Sequence, residues 1–193
     1  MKYYKILKND GGCANGGTGT WSLPTKNADG SWETGEWMPV IKGELVPCHK
    51  GYHICRAEDL IYWLDEAIFE VEYRGKITES DNKCVVREAR LLRKVESWDE
   101  KTARLFAADC AEKVLPIFES RYPEDMRPRK AIKSARDYTN GKISKNAWDA
   151  AWDAAWDAAW AAAGDAARDA AWDAMRQWQT DLLLKYLGED ING

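Results

Sequence analysis

The feature that most constrains this chain is a four-residue repeat near its C-terminal end. Trp148, Trp152, Trp156 and Trp160 are spaced by four, Asp149, Asp153 and Asp157 follow the first three, and alanine fills most of the remainder. Alanine at this density predicts a long helix. An α-helix turns about 100° per residue, so a four-residue step overshoots a full turn by about 40°. The Trp row therefore drifts about 120° from Trp148 to Trp160, which one broad face can hold, and about 240° by Trp172, which it cannot. Either the helix breaks or bends near Gly164, or Trp172 packs against a different neighbour from Trp148.

Small alanines let neighbouring helices approach closely, and each indole offers a large apolar area with one N–H for a partner. Packing within a core is the plain reading of such a row. If part of the row is exposed, it forms a surface for a protein partner or for self-association, because aromatic rows anchor interfaces. Asp149, Asp153 and Asp157 lie about 6 Å apart along the axis, a spacing that could imitate a row of phosphates. Trp148, Trp152, Trp156, Trp160, Asp149, Asp153 and Asp157 are accordingly the candidate partner-binding residues. The same aspartates argue against a membrane span, since each is costly at a bilayer centre.

Charge is unevenly distributed. Within a net charge of −4, residues 98–145 carry +3 and residues 146–193 carry −6. Arg127, Arg129, Lys130, Lys133 and Arg136 crowd one short helical stretch, and the simplest expectation is that they face the aspartate row. Internal complementarity of this kind disfavours nucleic acid as a partner. The five cysteines are odd in number and irregularly spaced, and no apolar run near Met1 reads as a secretory signal. A reducing, cytoplasmic setting is expected.

The pattern before the repeat changes character once, which predicts an α+β chain with a small β-rich part over residues 1–97 and an α-helical part over residues 98–193. Met1–Leu7 reads as a strand leading into the Gly-rich run Asn9–Thr20. Turns around Asn27–Gly30 and Glu33–Gly35, flanked by Trp21, Trp32 and Trp37, suggest a small meander. Gly51–Cys55 reads as a short strand feeding a helix that starts at Arg56, and Ala67–Tyr73 alternates cleanly, with Glu70 and Glu72 on one face. Val85–Leu92 is a further strand. Ser97-Trp98-Asp99-Glu100 has the form of a capping box. Pro116 is expected to kink or end the following helix, Pro128 to sit near the start of the next, Asn140-Gly141 to stop it, and Ser144 to cap the last.

Chemistry-bearing clusters are few. The Gly-rich run is not followed by Lys-Ser/Thr and opens no helix pattern, so a turn or mobile loop is expected in place of a phosphate loop. Cys48, His53 and Cys55 are the weak metal candidates: their seven-residue Cys spacing and the lack of a second pair do not fit a structural zinc site, and no metal or other cofactor is expected. The order of a Tyr-rich strand, G-Y-H-I-C with a following helix, and I-F-E-V-E-Y resembles the strand order of ADP-ribosyltransferase-like domains, which implies an enzymatic or nucleotide-binding alternative. Such enzymes carry an Arg or His on the first strand, whereas Lys2-Tyr3-Tyr4 offers neither; a shared fold could be catalytically silent.

Two longer stretches carry a family likeness. Phe106–Glu119, with D-C-A-x-x-V-L-P, then Arg127–Arg136, with R-P-R-x-A-I-x-x-A-R, and Gly141-Lys-Ile resemble the bacterial "putative immunity protein" family over roughly residues 98–180. P-C-x-x-G-Y-H-I-C and E-V-E-Y-R-G-K-I are similar to an uncharacterised domain of phage and prophage proteins. The first likeness implies a non-enzymatic binder that neutralises a protein toxin; the second implies a mobile-element origin and a host defence component as target.

Overall fold

The computed structural model describes residues 1–147, 149 and 170–192. The chain is α+β, with β-sheets first and helices after them, and forms two compact units: Met1–Asp99 together with Leu183–Gly193, and Glu100–Leu182.

The sheet unit rests on three antiparallel strands, β1 (Tyr3–Leu7), β5 (Ala67–Arg74) and β8 (Glu88–Lys94), in the order β1-β5-β8. Tyr3 pairs with Val71 and Leu7 with Ala67. On β8, Leu91 pairs with Val71 and Arg93 with Glu70, and the register shifts between Glu70 and Val71. A second sheet, β4-β7-β6, joins β4 (Tyr52–Ile54), β7 (Lys83–Val86) and β6 (Thr78–Ser80), and a bridge between Tyr4 and Cys55 links the two sheets. The expected meander is a two-stranded hairpin, β2 (Thr25–Lys26) and β3 (Trp32–Glu33).

Alternation sorts the first sheet into two faces. Tyr3, Leu7, Ala67, Phe69, Val71 and Leu91 point into a core shared with Trp21, Ile54, Cys84 and Val86. Their neighbours form an ion-pair ladder on the other face, Glu70 with Arg93 at 2.8 Å and Glu72 with Arg90 at 2.7 Å. The run expected as one strand over Val85–Leu92 is two. It divides at Arg87, whose guanidinium donates to the Ile41 carbonyl, so its halves serve different sheets. After β4 the chain forms a 3₁₀ helix over Ala57–Tyr62.

That second face is closed by the end of the chain. Helix α3 (Ala170–Leu187) and the short α4 (Glu189–Asn192) bring Leu183, Leu187 and Ile191 into the buried set. The Tyr4 hydroxyl donates to the Ile191 carbonyl at 3.5 Å, and Arg93 donates to the Asp190 carboxylate at 3.2 Å. Ser97 is not an N-cap: its hydroxyl donates to the Leu187 carbonyl at 3.0 Å and its N–H to the Asp190 carboxylate at 2.8 Å, while helix α1 begins only at Glu100. A serine hydroxyl thus satisfies one of the orphan carbonyls at the end of α3.

In the helical unit α1 (Glu100–Arg121) and α2 (Arg127–Thr139) form an antiparallel pair. Arg104 lies over the Tyr138 ring, Arg136 reaches Asp109 and Glu112, and Arg129 reaches Glu119, an order that only opposite chain directions allow. The core between them is built from Ala108, Leu115, Ile132 and Ala135. Pro116 does not end α1. Pro128 sits in the first turn of α2, where its missing N–H costs no helical bond. The stop at Asn140-Gly141 is a Schellman motif: Gly141 has φ +70, its N–H donates to Tyr138 at 2.9 Å, and Lys142 donates to Asp137 at 2.8 Å. Ser144 accepts from the Ala147 N–H at 3.4 Å, as a cap does.

Candidate functional site

Strand alternation also decides the chemistry of the sheet unit. Residues 3, 5 and 7 of β1 share a face, so Lys5 is directed to the core side between Tyr3 and Leu7. Its ammonium donates to the His53 carbonyl at 3.0 Å and stands 5.5 Å from the centroid of the Trp21 ring. Burial holds the Lys5 pKa below its ordinary value, opposed by the neighbouring sulfurs of Cys13 and Cys55. Beside it opens a cleft of about 550 Å³, within the size range of small-molecule sites.

One wall of the cleft is the Gly-rich run. Bridges between Leu7 and Cys13 and between Gly12 and Thr20 hold it, with the Cys13 N–H donating to Gly19 at 3.0 Å. A Cβ on Gly17 would stand 2.7 Å from that of Cys13, so the turn closes only around glycine. The rest of the lining includes Tyr52 and His53 of β4, Trp63 and Lys83. Gly51 enters β4 at φ +130, where a Cβ would lie 2.3 Å from a Val85 methyl. Lys83 stands 4.8 Å from the Trp63 ring centroid, and the Asn15 amide donates to the Trp63 carbonyl at 3.1 Å.

His53 accepts the Cys48 N–H on Nε2 at 2.8 Å. Burial, followed by the charges of Lys5 and Lys83, lowers its pKa against the opposing pull of a backbone hydrogen bond at Gly51, so the ring is held neutral. Cys55 is buried, its thiol donates to the Tyr4 carbonyl at 3.7 Å, and burial pushes its pKa up. Cys48 is exposed. The weak metal candidates Cys48, His53 and Cys55 are therefore neighbours with separate attachments. Among the described residues no group of three or more His, Cys, Asp or Glu side chains is placed to hold a metal.

In the helical unit, the seven candidate partner-binding residues fall mostly outside the described residues: Trp148, Trp152, Trp156, Trp160, Asp153 and Asp157 all do, as does Gly164. Asp149 is described, and it pairs with Lys145 one turn earlier at 2.8 Å. Of the basic side chains expected to face the aspartate row, Arg129 and Arg136 hold acids of α1, Arg127 holds Asp125, and Lys133 holds Asp137; the rest of that row lies outside the described residues. Lys133 and Asp137 are one helical turn apart, where side chains already meet, whereas the Arg129 and Arg136 pairs join two helices. Val114 and Ile117 of α1's C-terminal half, and Tyr122 and Met126 beyond it, are 40–48% exposed. Tyr122 also stacks on Phe118 at 5.1 Å between ring centroids.

Sequence comparison falls on this helical region. Residues 93–179 match the family model described as Imm-5 like putative immunity protein. That segment is similar to the Imm-5 like family. No curated protein and no solved structure matches the chain. The immunity segment contains α1, α2, the tetrad repeat and the first part of α3, and it includes the exposed apolar residues of α1. Protein binding is the role this family implies. No helix among the described residues is long and apolar enough to cross a membrane.

Lys5 is the residue that sequence reasoning missed. The signal was available, since a lysine at core parity inside Y-Y-K-I-L sits where an apolar side chain is expected.

Proposed function

We propose that this chain acts without catalysis, by binding a protein toxin stoichiometrically through its immunity segment. The match of residues 93–179 to an immunity family carries the reading. Two features of that segment support it. Val114 and Ile117 on the surface of α1, and Tyr122 and Met126 just after it, present large apolar side chains to solvent, and exposed apolar patches mark protein-interaction sites. The tetrad repeat lies in the same segment, and Trp148, Trp152, Trp156 and Trp160 with Asp149, Asp153 and Asp157 are the residues we assign to the partner, because aromatic side chains dominate interface energetics. A phage or mobile-element origin, supported by the likeness of the P-C-x-x-G-Y-H-I-C motif to phage and prophage sequences, would direct the binder to a host defence component.

The test is recovery of the full chain from its host under native conditions, with mass measurement of the complex. One protein partner at equimolar ratio is expected, and Ile117→Asp with Tyr122→Asp should weaken it by roughly tenfold or more. Transfer of label from labelled NAD to a host protein by the purified chain would overturn the non-catalytic reading.

A further inference from the structure

The cleft of the sheet unit has a charge balance that protein binding by the helical unit leaves unused. Lys5 and Lys83 both line it, and His53 feels the charge of each. None of the lining residues is Asp or Glu. Among the described residues neither lysine has a carboxylate partner. Lys5 donates to a peptide carbonyl, and Lys83 has the Trp63 ring. A partly buried ammonium with a neutral carbonyl and an aromatic face but no carboxylate leaves donor capacity and charge uncompensated, and elsewhere in the same unit the guanidinium groups of Arg56, Arg90 and Arg93 all have carboxylates.

The Gly-rich wall adds a second, independent donor set. Among the described residues the amide N–H groups of Gly16, Thr18 and Gly19 have no acceptor, although Cys13 and Gly17 on the same turn do. The adjacent unpaired amides of Thr18 and Gly19, with that of Gly16 on the same turn, are suited to an oxyanion. With a volume of about 550 Å³ the cleft admits more than a bare inorganic anion.

We propose that this cleft binds a small phosphorylated compound, its phosphate held by Lys5 and Lys83 with the amides of the Gly16–Gly19 turn. The flanking Tyr52 and Trp63 leave room for the organic portion. Nucleotides and sugar phosphates share the required chemistry.

Calorimetric titration of the full chain with AMP, ribose 5-phosphate and adenosine tests this. Saturable binding at one site per chain is expected for at least one phosphate ester, with adenosine roughly tenfold or more weaker, the loss of one charge-assisted contact set. AMP binding alone assigns the phosphate to a nucleotide, and ribose 5-phosphate binding alone to a sugar phosphate. Lys83→Met should weaken the bound ester by roughly tenfold. Since Lys5→Met could disturb the core, Lys5 is read on the unsubstituted protein instead: amine acylation followed by peptide mass analysis should show Lys5 and Lys83 protected by the bound ester and Lys42 unaffected. Adenosine binding as tightly as AMP, or neither ester binding at millimolar concentration, overturns the proposal. So does ester binding that leaves Lys5 and Lys83 unprotected.

Discussion

The sheet unit buries Tyr4, Leu7, Leu60, Ile68, Leu91 and Val95 almost completely, and it draws residues from both ends of the chain. The helical unit, over its described residues, has a core of two alanines, a leucine and an isoleucine between α1 and α2, surrounded by Arg–carboxylate pairs at the surface. Large apolar side chains supply most of the stabilisation in a protein interior, while exposed ion pairs supply little each. The first unit is therefore stabilised by burial and long-range closure, whereas the α1–α2 pair buries fewer large side chains and carries more charge pairing. The family match falls almost entirely on the second.

Breaking the closure should have the largest effect. Leu187, which is 1% exposed, is one of the buried side chains brought in by the end of the chain, and Leu187→Ala is expected to cost about 2–5 kcal/mol in urea unfolding. If a separate transition is resolved for α1 and α2, it should move much less. A cost below about 1 kcal/mol would show that the C-terminal return is dispensable to the sheet.

Next comes backbone geometry. Gly51→Ala meets both a positive φ and a 2.3 Å approach to Val85, and should destabilise the sheet unit by about 1–3 kcal/mol. The loss should be accompanied by a weaker hydrogen bond between His53 and Cys48, visible as a shift in the imidazole resonances.

Electrostatic closure is smaller and depends on pH. Burial raises the Asp190 pKa, but hydrogen bonds from Ser97 and Arg93 outweigh it and hold the carboxyl below its ordinary value. A carboxylate with a depressed folded pKa stabilises the fold above the ordinary carboxylate range, and that contribution is lost as pH falls through the folded value. Asp190→Asn should cost about 1–2 kcal/mol at neutral pH, discounted for partial exposure, and the difference from the unsubstituted chain should vanish in acid. A pH-independent difference would assign the effect to packing.

The smallest effect is expected in the helical unit. Arg136→Gln removes pairs to Asp109 and Glu112, both partly exposed, and should cost at most about 1 kcal/mol, diminishing as salt is raised. A larger, salt-insensitive loss would mean that the two units are less different than burial suggests.

Local features of both units were legible in the sequence because they depend on neighbours in the chain. The alternation of Ala67–Tyr73 marked β5, Asn140-Gly141 marked the end of α2, and Ser144 marked a cap. Ser97 misled for an equally physical reason: a capping box and a serine that caps another helix's carbonyl have the same local sequence, and only the return of Leu187 and Asp190 distinguishes them. The two-stranded outcome at Arg87 and the partners of the basic helix were hidden in the same way. Of the candidate sites, the Cys–His cluster was visible as residues, but the cleft was not, since its walls come from segments that are distant in sequence.

By itself, then, the sequence determined the α+β order and the turn and cap positions, which rest on periodicity and local backbone preference, and it carried the resemblance to an immunity family that the match over residues 93–179 supports. Tertiary structure alone decided that the last residues close the first unit, that Arg129 and Arg136 pair with α1, and that Lys5 reaches a cleft without carboxylates. Those outcomes depend on which distant surfaces meet, and a side chain's partner across space is fixed by packing and burial, not by its neighbours along the chain.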